Sequence, residues 1–137
     1  MNKFEFISEL GKLRSSSTFL TLKGYTNQTG ANNIAVGVNA LYTNTASQNA
    51  AVGTSALAAN TTGSENVAVG HVSLDANTSG NCNIGIGRGS LGSNTTANNN
   101  IAIGDIALVA NTTGTNNTGT GYATLAANTI GASNTAS

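Results

Sequence analysis

Apolar and polar positions alternate in a short segment that recurs about every 17 residues. In the copy at residues 66–70, which reads Asn-Val-Ala-Val-Gly, two β-branched residues flank a small one. A period of two is typical of a strand, and the Gly and Asn-Thr breakers are too closely spaced for a helix of about 10 residues. The pattern predicts one short strand per copy, at residues 34–36, 50–52, 67–69, 84–86, 101–103 and 118–120. In this interpretation the β-branched pair faces inward and the small residue faces the other way.

Three residue types occupy fixed columns in the repeat, whose six complete copies begin at Asn33, Asn49, Asn66, Asn83, Asn100 and Asn117. The glycine column is Gly37, Gly53, Gly70, Gly87, Gly104 and Gly121. The leucine column is Leu41, Leu57, Leu74, Leu91, Leu108 and Leu125. A second asparagine column, always followed by Thr, is Asn44, Asn60, Asn77, Asn94, Asn111 and Asn128. We expect the glycines at positive-φ corners or close backbone approaches, and the asparagines at corners, where they form amide ladders and tolerate a left-handed backbone.

A single copy cannot fold alone. It buries about three apolar side chains worth about 1.5–3 kcal/mol each, whereas ordering its residues costs about 1–2 kcal/mol each. Stacking equivalent strands about 4.8 Å apart offsets this unfavourable free energy, because the backbone groups and apolar side chains of each coil then pair with those of its neighbours. The sequence therefore predicts an all-β fold, a β-solenoid or parallel β-roll of about six coils of 16–17 residues with a short N-terminal helix/strand cap. Its expected core is the leucine column together with Val36, Val52, Val69, Ile86 and Ile103.

The chain divides at residue 32, because the composition changes there. All three Phe residues and four of the five basic residues precede residue 24. Residues 3–13 have the spacing of an amphipathic helix and residues 18–22 read as a strand. Residues 1–32 are predicted to be a cap on the solenoid or, alternatively, an oligomerisation or attachment segment. Residues 33–137 are the repeat array, whose last coil, starting at Asn134, is incomplete.

Charge and residue chemistry exclude several functions. With a formal net charge of zero and 7% charged residues, the sequence offers no basic surface for binding nucleic acid or an anionic membrane. No signal peptide is visible, and no segment approaches the roughly 20 apolar residues that insert into a membrane. The single histidine, His71, has no acidic residue recurring at a fixed spacing. We therefore expect no catalysis, no metal site and no cofactor.

The six copies, typified by residues 66–70 with Leu74 and Asn77-Thr78 after them, resemble the head repeats of trimeric autotransporter adhesins of the YadA type and related bacteriophage tail-fibre repeats. In the adhesin heads an Asn-x-Val-Ala-Ile-Gly segment recurs on a slightly shorter repeat. Three chains there form left-handed parallel β-rolls around a threefold axis. The resemblance covers residues 33–136 and implies a trimeric fibre placed outside the cell or on a virion.

The leading hypothesis is a structural or adhesive fibre segment that forms a homotrimer or assembles end to end and contacts a cell-surface receptor or glycan. In this interpretation the outward small column, Ala35, Ala51, Ala68 and Ala102, lets neighbouring chains approach. Specificity is expected at the pairs after each glycine, 38–39, 54–55, 71–72, 88–89, 105–106 and 122–123. One alternative is an ice- or surface-binding array built on the row Thr45, Thr61, Thr78, Thr95, Thr112 and Thr129. The other is a self-assembling filament, in which an open coil edge templates another chain.

Overall fold

The described part of the chain folds into a single parallel sheet whose strands follow one another in sequence order. The computed structural model describes residues 18–20 and 30–137. Its eight strands are β1 (Thr18–Leu20), β2 (Ile34–Val36), β3 (Ala50–Val52), β4 (Val67–Val69), β5 (Ile84–Ile86), β6 (Ile101–Ile103), β7 (Thr118–Thr120) and β8 (Thr135–Ala136). Residues 30–137 contain no helix, and the helix predicted over residues 3–13 lies outside the described residues.

Each strand pairs with the next in a register that brings equivalent repeat positions together. Val67 lies beside Ile84, Ala68 beside Gly85 and Val69 beside Ile86. Backbone hydrogen bonds between successive coils continue outside the strands, for example from the N–H of Leu57 to the carbonyl of Ser73. This coil-on-coil pairing confirms the predicted β-solenoid, with about six turns of about 17 residues. β1 lies within the strand predicted at residues 18–22 and pairs in parallel with β2.

The interior is narrow and is filled by leucine and small side chains. Five members of the leucine column are fully buried, and Leu125 packs against them partly buried. Alanines fill the remaining apolar interior, at Ala35, Ala40, Ala51, Ala56, Ala68, Ala97, Ala102 and Ala107. The solenoid therefore has a continuous core that is only one leucine wide.

The predicted orientation of the strands is wrong. The central alanines of β2, β3, β4 and β6 are 0% exposed, whereas Val52, Val69, Ile86 and Ile103 are 37–41% exposed and Val36 is half-buried. The physical reason is the width of the interior. At Gly85, the central residue of β5, an added Cβ would already lie 2.6 Å from Ser73 Oγ. The small central residues of β2 to β6 occupy the space beside the leucine column, so the β-branched pair faces outward.

Each coil turns through three positions in the left-handed region. One is the residue before the first asparagine, with φ of 56–64°, one is two residues after the glycine, and one is the leucine itself, with φ of 50–52°. Neither asparagine column has positive φ, so the prediction of left-handed asparagine corners is wrong. The asparagine side chains are used in the interior instead.

The glycine column has positive φ, 114–138°, as the sequence predicts. At Gly53, an added Cβ would lie 2.5 Å from the carbonyl oxygen of Gly70 in the next coil. The same backbone contact is made at Gly37, Gly70, Gly87 and Gly104. A side chain at these positions would separate two coils.

Replacing Ala123 by Asn is expected to stabilise the protein by about 0.5–1 kcal/mol, part of the cost of a left-handed backbone at a residue other than glycine. Ala123 has φ of 55° and Asn39 occupies the equivalent position with φ of 59°. Asparagine tolerates this conformation better than alanine. Chemical denaturation monitored by circular dichroism measures the change. The matched control, Ala126→Asn, changes a residue without positive φ and should bring no gain. An Ala123→Asn variant no more stable than the unchanged chain would contradict the prediction.

Candidate functional site

The second asparagine column forms a buried ladder of side-chain amides. From Asn60 to Asn128, each Nδ2 donates to the Oδ1 of the equivalent asparagine in the preceding coil, at 2.6–3.2 Å. The same Nδ2 atoms donate to the carbonyl three residues later, for example from Asn77 to Gly80. The ladder stays intact across five coil-to-coil steps and holds equivalent corners one above another.

The first asparagine column makes a different ladder that meets the same carbonyls. Each Oδ1 accepts a hydrogen bond from the backbone N–H of the next asparagine of the column, at 2.9–3.0 Å. Its Nδ2 donates to a carbonyl 13 or 14 residues later, as from Asn66 to Gly80 O. Gly80 O therefore accepts from both Asn66 and Asn77. These buried amides have their partners inside the chain, so we assign both columns a structural role.

The outer surface of the sheet is an apolar face, defined by the first and third residues of β2 to β6. Ile34, Val52, Val69, Ile86 and Ile103 are the exposed members, at 37–48%. The others, Val36, Ala50, Val67, Ile84 and Ile101, are half-buried. No charged residue interrupts this face over five coils. A continuous exposed patch of large apolar side chains indicates an interaction surface.

Two rims border the apolar face. The before-strand rim consists of the exposed residues that precede the first asparagine column: Asn32, Gln48, Glu65, Cys82, Asn99, Asn116 and Ser133. The after-strand rim consists of the residues that follow the glycine column: Val38, Thr54, His71, Arg88, Asp105 and Tyr122. Four of these six are exposed, and Val38 and Asp105 are half-buried.

The pairs predicted to give specificity are only partly at the surface. Their first members are the after-strand rim. Their second members are held in the left-handed conformation and, apart from exposed Asn39, are half-buried or buried. The chain therefore offers one variable position per coil at this edge, not two.

The rims carry most of the charge of the array. Arg88 Nη2 donates to Asp105 Oδ2 at 3.0 Å between adjacent coils, with the two side chains 61% and 38% exposed. Asp105 Oδ1 is buried and has no hydrogen-bond partner among the described residues. On the other rim, the thiol of Cys82 donates to Glu65 Oε2 at 3.4 Å. That hydrogen bond raises the pKa of the Cys82 thiol above its ordinary value.

Asp75, which follows Leu74, is the remaining acidic residue of the array. Partial burial raises the pKa of its carboxyl above the ordinary value. Hydrogen bonds from the backbone N–H groups of Asp75 and Ala76 oppose the shift, as does the nearby His71. Within residues 18–20 and 30–137 no group of three His, Cys, Asp or Glu side chains is arranged to hold a metal ion.

The threonine row is regular but its hydroxyls are used by the fold. Each of Thr45, Thr61, Thr78, Thr95 and Thr112 donates its hydroxyl to the carbonyl of the next threonine in the row, at 2.8–3.3 Å. Thr78, Thr95 and Thr112 are half-buried. The row therefore reinforces the stacking of the coils and presents few free donors.

The apolar face is the feature that the sequence interpretation missed, because it placed the β-branched residues inside. One signal in the sequence points to the observed orientation. In all six complete copies of the repeat the central strand residue is Ala or Gly, a restriction that a solvent-facing position does not require and a narrow interior does.

The described part of the chain is a β-solenoid repeat protein with one exposed apolar sheet face and two mostly polar rims. No protein-family model, curated protein or solved structure matches the chain. No helix in the described residues is long and apolar enough to cross a membrane.

Proposed function

We propose that this protein is a structural and adhesive fibre segment whose copies associate through the apolar face, as a homotrimer. The observation that carries the proposal is the uninterrupted exposure of β-branched side chains over five coils. The sequence interpretation based trimer formation on an outward alanine column, but those alanines are buried. In this proposal the exposed valines and isoleucines of the apolar face, and not the alanines, form the contact between copies.

A second copy of this chain is the occupant that fits the face best. The exposed side chains of the apolar face recur once per coil, about every 4.8 Å. A second copy of the same solenoid has the same spacing over the same length. Sheets with apolar outer residues pack against one another through those residues, as in sandwich cores. Burying each large apolar side chain removes it from water and contributes about 1.5–3 kcal/mol per fully buried residue.

The adhesive part of the proposal concerns the surface away from the apolar face. Polar side chains are exposed between the two asparagine columns, including Thr62, Thr96 and Thr113. A cell-surface glycan or protein would contact such rows, which repeat along the fibre. The use of the neighbouring threonine hydroxyls within the chain disfavours the ice-binding alternative. An absence of thermal hysteresis is the expected result.

Replacing Ile86 by Glu is expected to convert the oligomer to a monomer. Ile86 lies on the apolar face between the exposed Val69 and Ile103 and is itself 38% exposed in the single chain, so the coil itself should tolerate the change. In the oligomer the carboxylate would lie in an apolar interface without a partner, which is strongly unfavourable. We expect the association constant to fall at least about 100-fold. Light scattering coupled to size-exclusion chromatography measures the mass.

Thr96→Glu is the matched control, because it adds the same charge at an exposed position off the apolar face. Its oligomeric mass should be that of the unchanged chain. Circular dichroism of both variants should show an intact sheet. A stable monomer for the unchanged chain at micromolar concentration would refute the proposed self-association.

A further inference from the structure

One coil of the solenoid lacks two side chains that both of its neighbours have. Residues 89 and 92, in the fourth copy of the repeat, are glycines. The residues at the same two positions in the adjacent coils are Val72, Asp75, Ile106 and Val109. Backbone hydrogen bonds fix this alignment, because the N–H of Gly89 donates to His71 O at 3.0 Å and the N–H of Ser93 donates to Val109 O at 3.0 Å. The result is a notch one coil wide, here called the glycine notch, between the after-strand rim and the second asparagine column, with Gly89 and Gly92 as its floor.

The fold does not require glycine at either position. Gly92 does not have positive φ, and every other complete copy of the repeat has a side chain there. Gly89 has φ of 64°, but Val72 and Ile106 adopt the same left-handed conformation, with φ of 50° and 52°. A Cβ added at Gly89 would meet only Ile106 Cγ2, at 3.5 Å, which is an ordinary van der Waals contact. The notch is therefore space that side chains could fill, and it does not follow from the path of the backbone.

The two walls of the glycine notch differ in chemistry. Ile106 and Val109, both half-buried, form an apolar wall. On the opposite wall, Asp75 Oδ1 lies 3.6 Å from the position that a Cβ would take at Gly92, so the carboxylate borders the floor. The coils that carry the two walls are separated by two steps of about 4.8 Å. Subtracting about 4 Å for the van der Waals radii of the wall atoms leaves a gap of roughly 5–6 Å, enough for one saturated ring that enters edge-on.

Charged groups of opposite sign border the glycine notch. The side chain of Arg88, the residue before Gly89, is 61% exposed and gives one hydrogen bond to Asp105, although a guanidinium has five N–H donors. An anion in the notch would meet the carboxylate of Asp75, and a cation would meet the Arg88 guanidinium. A neutral ligand with several hydroxyl groups satisfies both, because a hydroxyl group donates to a carboxylate and accepts from a guanidinium.

We infer that the glycine notch binds a neutral pyranose ring of a cell-surface glycan. The C–H face of the ring lies against Ile106 and Val109, one hydroxyl group donates to Asp75, and another accepts from Arg88. The inference rests on the adhesive part of the proposed function and gives it a site and a ligand class. The contact with a single ring is small, so one notch binds weakly. A fibre that presents several copies of the notch binds a glycan-covered surface through all of them together.

Filling the notch tests the inference. The probes are methyl pyranosides of neutral hexoses and N-acetylhexosamines, titrated to millimolar concentrations into the isotopically labelled chain. At least one of them should shift the backbone amide resonances of Gly89 and Gly92. Gly92→Val introduces the side chain that Val109 has at the same position of the next coil, and should weaken binding at least about tenfold. Ala126→Val, at the same repeat position two coils away, is the matched control and should bind as the unchanged chain does. Asp75→Asn keeps an acceptor oxygen without the charge and should weaken binding roughly three- to tenfold. Circular dichroism should show an intact sheet for each variant.

Two results would overturn the inference. One is that no neutral pyranoside shifts the resonances of Gly89 or Gly92, or that Gly92→Val binds the pyranosides as well as the unchanged chain does. The other is that the n-butylammonium ion binds in the notch more tightly than any pyranoside and loses its binding with Asp75→Asn, which would make the notch a cation site.

The failure of the notch and the failure of the proposed function give different results. A pyranoside that shifts only resonances of Thr62, Thr96 and their neighbours would keep the adhesive function and overturn the notch as its site. A chain that binds no pyranoside at any residue would overturn both the notch and adhesion to neutral glycans. Neither result changes the oligomeric mass of the chain, which the comparison with Ile86→Glu measures separately.

Discussion

A Gly70→Ala substitution should destabilise the protein by about 3–5 kcal/mol, although it adds only one methyl group. Gly70 has φ of 136°, which L-residues rarely adopt. The added Cβ would lie 2.5 Å from the carbonyl oxygen of Gly87 and 2.7 Å from its carbonyl carbon. Both atoms belong to the backbone of the next coil, so two coils must move apart. Urea denaturation followed by circular dichroism gives the free energy of unfolding.

Gly89→Ala is the control that separates the backbone contact from the loss of glycine. Gly89 also has positive φ, 64°, but an added Cβ there would meet only Ile106 Cγ2, at 3.5 Å. Alanine occupies the equivalent position naturally at Ala123. We expect a loss of about 1 kcal/mol. Equal destabilisation by the two substitutions would show that coil contact at the glycine column does not limit stability.

An Asn77→Asp substitution should cost about 3–5 kcal/mol at neutral pH, although it changes only one atom of the side chain. Asn77 is fully buried, and its Nδ2 donates to Asn60 Oδ1 at 2.8 Å and to Gly80 O at 3.0 Å. An aspartate would place a carboxylate oxygen against both acceptors. The oxygen that replaces Nδ2 would have no donor in exchange for the two lost bonds, and the hydrogen bond from Asn94 Nδ2 to the other oxygen would remain.

The pH dependence of this variant has a definite sign. Burial between two acceptors raises the pKa of the new carboxyl in the folded state above the ordinary value of about 3.9. The folded state therefore holds its proton to higher pH than the unfolded state. Destabilisation should be smallest below about pH 4 and should grow as the pH rises through the folded-state pKa.

Asn99→Asp provides the comparison at an exposed position of the before-strand rim. It adds the same negative charge without burying it, so its stability should stay within about 0.5 kcal/mol of the unchanged chain. Thermal and urea denaturation between pH 3 and pH 8 compare the two variants. A flat pH profile for Asn77→Asp would mean that the ladder position is hydrated, and would contradict the structural role of the amides.

The sequence by itself determined the solenoid. Its period follows from the columns of Gly, Leu and Asn, because identical residues at a constant interval can be satisfied together only when coils stack. The strands observed at Val67–Val69 and Ile101–Ile103 have the predicted bounds. The stacked amides of Asn60 and Asn77 likewise follow from repetition alone.

Only the tertiary structure decided which side of the strand is the interior. A three-residue strand with β-branched ends and a small centre satisfies the alternation rule in either orientation. The pattern alone therefore does not say which side of the strand faces the interior. The choice depends on the space left beside Leu74 and Ser73 across a narrow coil, where Ala68 is fully buried and where a Cβ added at Gly85 would lie 2.6 Å from Ser73 Oγ. That space is set by the path of the chain through its left-handed turns, which no single column of residues specifies. The β-branched side chains lie on the outer, apolar face because the leucine column and the small side chains fill the interior.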